Sequence, residues 1–165
     1  MGHPKKQRKK YESPLKPYDK DRIEREKRIK KEFGLRKKRD IWRAVSVLRT
    51  IRRRARALQA KKDKIKEKEL LDHLYKLNLI RKDSTIDDVL GLSVEDILNR
   101  RLQTIVYKKG LARTAKHARQ LIVHNHVLVN NRKIAYPSYF VTKEEENNIK
   151  LDSKMLKEIK SEVKE

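Results

Sequence analysis

The sequence predicts an α+β protein that is mostly helical, with a basic N-terminal helical region followed by a small domain of two helices and a β-hairpin. Three observations predict it. Apolar residues step by three and four through Trp42, Val45, Leu48, Ile51, Ala55 and Leu58, and again through Leu70, Leu71, Leu74 and Leu77. That is the period of a helix with one buried face. Alternation with period two marks His126 to Ile134, where Val127 and Val129 lead into an Asn130-Asn131 turn, a hairpin signature. Finally, 42% of the 165 residues are charged and 36% hydrophobic, with a mean hydropathy of −0.96. Such a chain is expected to form small packed modules joined by basic segments, rather than one large core.

Residues 1–20 hold three of the four prolines and little periodicity, so they are expected to form an extended basic tail. Within it, the run Lys5 to Lys10 reads as a basic arm, with a localisation signal as the alternative. Residues 19–33 read as a helix that Gly34 ends. Asp40 is expected to cap a long helix from Ile41 to about Lys66, and residues 67–80 to form a second amphipathic helix. Residues 83–92 read as a turn and a short helix. Ser93 to Asp96 resembles a capping box opening a helix that runs to Lys109, with Ile97, Leu98, Leu102, Ile105 and Val106 buried. Gly110 stops it. Thr114 caps a helix from Ala115 to His124, whose Ala118, Leu121 and Ile122 are expected to pack on Leu98, Leu102 and Ile105. Asn125 takes the left-handed position that ends a helix. Pro137 is expected at a strand edge. The organisation expected is therefore a tail over 1–20, a helical region over 21–98, and a small domain with a C-terminal segment over 99–165.

Lys and Arg total 46 against 23 Asp and Glu, a net charge of +23. Self-repulsion of that size calls for a polyanionic partner. The charge is segregated. Residues 1–60 carry 23 basic and 7 acidic side chains, while residues 99–142 carry 9 basic and no acidic ones. The segments 61–98 and 143–165 are each close to neutral. A surface that meets phosphates excludes carboxylates, which gives an acid-free stretch of that length a reason. No apolar run approaches the roughly 20 residues that span a bilayer, so a membrane is not the expected partner. The N-terminus lacks an apolar segment to serve as a signal peptide, and Lys6 stands where a myristoylation pattern needs Ser or Thr. The chain has no cysteine, which removes disulfides, thiol catalysis and cysteine-ligated zinc. The stretch 99–142 offers no carboxylate for acid–base work, so an enzyme is not expected. His117, His124 and His126 lack a nearby Cys or acid to complete a metal site and are expected on or near nucleic acid. No cofactor is expected.

The segment Asn99 to Ser138 resembles the small RNA-binding domain named after small-subunit ribosomal protein four. Arg101-Leu102, Arg113, Ala118-Arg119, Leu121-Ile122, His126, Val127, Val129, Asn130 and Pro137-Ser138 carry the match. Tyr11 to Pro14, Phe33 to Arg43 and Leu90 to Thr104 resemble the archaeal and eukaryotic branch of the ribosomal protein itself, so the likeness runs from about Tyr11 to Glu146. Asn125 and Asn131 depart from it by standing where glycine is expected.

The resemblance implies a structural constituent of the small ribosomal subunit, cytoplasmic, that binds small-subunit rRNA early in assembly. It also implies ribosomal protein five of the small subunit as a neighbour, a place near where mRNA enters, and an influence on translational accuracy. A small-subunit assembly factor with the same domain is the alternative reading. The expected RNA contacts on the long N-terminal helix are Arg43, Arg49, Arg52, Arg53 and Arg56, because no acidic residue between Ile41 and Lys62 pairs with them. In the small domain they are Arg100, Arg101, Lys108, Lys109, Arg113, Thr114, Lys116, His117, Arg119, Gln120, His124, His126, Asn130, Arg132 and Lys133.

Overall fold

A computed structural model describes residues 9–152. Of the tail expected over residues 1–20, residues 1–8 lie outside the described residues, as does the end of the C-terminal segment, 153–165. Helix α1 spans Lys20–Glu32 with Asp19 as its N-cap, and Gly34 ends it at φ +58°. Before α1, residues 9–19 form no helix or strand. Tyr11 nevertheless lies against Trp42, with ring centroids 5.7 Å apart. Buried Glu26 ties α1 to the next helix. It accepts from Arg22 at 2.9 Å and from the Trp42 indole at 2.9 Å.

Helix α2, Lys38–Lys61, departs from expectation at both ends. Its N-cap is Lys37, and Asp40 sits inside the first turn, where its charge suits the helix dipole without capping. It stops five residues short of Lys66 because Lys62 turns left-handed and Asp63 caps α3, Lys64–Lys76. Helix α4 (Ile86–Gly91) and α5 (Val94–Asn99) follow, each opened by a capping box, at Thr85 and Ser93. Their apolar faces close a first core around α2, including Ile41, Leu48, Leu74, Val89, Ile97 and Leu98.

The helix expected from Ser93 to Lys109 is broken. After α5 the chain extends at Arg101 and restarts as α6, Leu102–Lys108. The break has a tertiary cause. Arg101 bridges Phe140 in antiparallel fashion, and the Leu102 and Gln103 amides donate to the carbonyls of Tyr139 and Pro137. A continuous helix would have kept these groups for itself. The break also divides the apolar side chains between two cores. Leu102, Ile105 and Val106 join a second core with Ala118, Leu121 and Ile122, whereas Leu98 belongs to the first and not, as expected, beneath the following helix.

That helix, α7, spans Ala115–Val123 with Thr114 as its cap, the hydroxyl accepting from the His117 amide at 3.1 Å. Asn125 then turns left-handed at φ +62°. Strands β1 (Val127–Val129) and β2 (Arg132–Lys133) form the expected hairpin. Asn130 and Asn131 are both at positive φ, as a type I′ turn requires. The sequence did not reveal helix α8, Lys143–Asn147, or strand β3, Ile149–Leu151. β3 pairs antiparallel with β1, Leu128 opposite Lys150, so β1 is the central strand of a three-stranded sheet.

Candidate nucleic-acid interface

The basic residues of α2 divide by environment. Arg43, Arg53 and Arg56 are exposed. Arg52 is half-buried and donates to the Leu92 carbonyl at 2.6 Å, which holds α2 to the α4–α5 turn. Arg49 is exposed but forms an ion pair with Glu12. The absence of local carboxylates therefore did not leave every arginine unpaired, since the chain before α1 supplies one.

The small domain sorts in the same way. Arg100, expected at the RNA surface, is 8% exposed. It donates to the Val141 carbonyl at 3.1 Å and pairs with Glu146 at 2.9 Å. Those contacts pin the segment after the hairpin to the α5–α6 break, a task inside the fold. Lys109 reaches the Glu146 carbonyl, and Lys133 lies 3.5 Å from Asp152. Lys108, Arg113, Lys116, Gln120, His124, Asn130 and Arg132 are exposed, as is Thr114. His117, Arg119 and His126 are half-buried. The His124 and His126 rings stack with centroids 6.3 Å apart. Among the described residues no cluster of His, Asp or Glu could hold a metal ion.

Helix α7 begins close against Gly34, with Arg113 just before the cap and Lys116 in the first turn, both exposed. Free backbone N–H groups and a partial positive charge at a helix start favour phosphate. Ala118, Leu121 and Ile122 are buried, which leaves the Arg113, Lys116 and Arg119 side towards solvent and the neighbouring cations.

Arg101 is where the two basic regions meet. It is 6% exposed, and burial pulls its guanidinium below the ordinary arginine pKa. Asp40 opposes that shift, while Arg119 from α7 and Arg43 from α2 add to it. Two residues far apart in the sequence thus act on one side chain. Arg101 lines a cleft of about 890 Å³ together with Lys9, Lys10, Arg39 and Arg43. Lys9, Lys10 and Arg39 were not among the residues expected at the interface. The first two sit in a segment that reads as a tail, and Arg39 precedes the expected start of α2.

Residues 100–147 match the family described as the S4 domain. Over 152 residues the chain is 49% identical to "Small ribosomal subunit protein uS4" of Ignicoccus hospitalis, covering 90% of this chain and 92% of that protein. It is 48% identical over 153 residues to the protein of the same name from Saccharolobus islandicus, covering 90% and 84%. The likeness therefore takes in α1 to α5 as well as the small domain.

Proposed function

The chain belongs to the family of small ribosomal subunit protein uS4, and from that premise we propose that it is a structural constituent of the small subunit that binds small-subunit rRNA. The observation that carries the RNA reading is the cleft that brings Arg39 and Arg43 of α2 beside Arg101 at the start of the small domain. The exposed arginines of α2 and the N-terminus of α7 then belong to one basic surface. The contacts proposed on it are Arg43, Arg53, Arg56, Arg113, Lys116 and Arg119, with Arg132 on the hairpin. We further propose early binding during assembly, a position beside ribosomal protein five near where mRNA enters, and a contribution to translational accuracy. These finer roles rest on the family alone.

Sedimentation of the cellular protein tests the reading. A structural constituent co-sediments with mature small subunits at about one copy each and stays through a high-salt wash. Recovery on precursor particles only would instead make the protein an assembly factor.

A further inference from the structure

Arg101 lines the cleft, and one of its guanidinium nitrogens has no partner in the protein. The Arg101 Nε is shut off from solvent and meets no acceptor. Buried charged donors are ordinarily paired or hydrogen-bonded, because an orphan forfeits its hydration for nothing. Arg39 and Arg43 stand on the same wall, and Asp40 is the one carboxylate among the lining residues. Cations gathered this closely repel one another until an anion sits among them.

The lining also includes apolar Val47 and Ile97 and two aromatic rings, Tyr11 and Phe140, the latter with 36% of its surface exposed. The backbone bridge to Arg101 places Phe140 beside it, and both line the cleft. At about 890 Å³ the cleft takes something larger than a lone phosphate. Guanidinium groups in the lining suit a phosphodiester, and an aromatic ring beside them suits the face of a base. A base within a duplex has both faces stacked and cannot offer one to a ring.

We propose that this cleft seats a single unpaired nucleotide of the bound rRNA, its phosphodiester on Arg101 and Arg43 and its base against Phe140. The proposal rests on the ribosomal reading above. The full chain is titrated with a small-subunit rRNA fragment carrying, one position at a time, a neutral methylphosphonate linkage or an abasic nucleotide.

With the wild type, one linkage should cost about tenfold in affinity when neutralised, and the abasic change at that nucleotide should cost about as much. The first penalty should vanish with Arg101→Met and Arg43→Gln, and the second with Phe140→Ala. Arg101→Met should also leave the thermal midpoint of the free protein unchanged or raised, since it removes a desolvated cation. Exposed Arg43→Gln carries the test if Arg101→Met does not fold. Interference maps that are the same for the wild type and all three variants would overturn the seat. A lower midpoint for Arg101→Met with an unchanged map would do so too, and would make Arg101 a packing residue. A wild type that fails to bind the fragment at all would overturn the ribosomal reading instead.

Discussion

The Gln103 side chain carries its NH₂ group into a place where only carbonyls wait. It is 1% exposed, and its Nε2 donates to Phe33 at 3.2 Å, Gly34 at 3.1 Å and Ala115 at 2.8 Å. Three acceptors around one end of the amide fix which way it points. The backbones come close here because Gly34 has no Cβ. One added at that position would fall 2.8 Å from the Ala115 Cβ. Gln103→Leu keeps the bulk and strands buried carbonyls, so it should destabilise the protein by about 2 kcal/mol or more. Gln103→Glu should cost more at neutral pH, because an acceptor would then face acceptors. Urea denaturation at constant slope measures both, and a midpoint equal to the wild type for either would show that the amide does not hold the joint. Some of this scale was legible in the sequence. Asn125 and Asn131 were read as left-handed turn positions because Asn tolerates them, and both are at φ +62°. Gln103 was not. In the sequence it is one polar residue inside an apparent helix, and its partners lie 12, 69 and 70 positions away.

Caps written locally were the most legible part of the elements. Thr114 and Ser93 begin α7 and α5 as expected because their hydroxyls serve amides three residues on. What distant segments decide was not legible. The α5–α6 break depends on residues 137–140. β3 is three residues long and bounded by polar ones, so its pairing with β1, more than 20 positions away, left no local mark. Arg49 looked unpaired because Glu12 is 37 positions off. The α7 face is the element whose role can be tested most simply. Arg113, Lys116 and Arg119 changed together to Gln should lower rRNA affinity by at least about tenfold, or 1.4 kcal/mol. The same three-charge loss at Lys157, Lys160 and Lys164 is the control and should cost far less. Thermal stability should change little in the control. Equal losses in affinity from the two sets would mean that only bulk charge matters.

At the scale of the molecule, two small cores are fastened at separate points. Besides the Gln103 joint, Lys143 of α8 donates to the Tyr75 hydroxyl of α3 at 3.0 Å and lies 4.5 Å from the centre of its ring. The proposed basic surface draws on residues of both cores, and the two clusters of charge that suggest it are visible in the sequence. Its energetic signature is salt dependence. If about six to ten rRNA phosphates are neutralised, log affinity should fall with log salt with a slope of roughly −4 to −9. A filter-binding or fluorescence titration at several salt concentrations gives the slope, and a nearly flat line would remove phosphate from the centre of the account.

The joint between residues 33–35 and the start of α7 leaves little slack, since a buried, hydrogen-bonded amide and a glycine at contact distance have nowhere to slide. The separation between the arginines of α2 and the cations of α7 is therefore a built-in length. A strand of RNA that reaches from one to the other has to match it, and the deformation falls on the RNA. An RNA folded to a different spacing would engage one set only and forfeit the avidity of the second, a factor on the order of 10² to 10⁴. The protein would thus gauge whether an RNA junction has its proper dimensions without reading a single base.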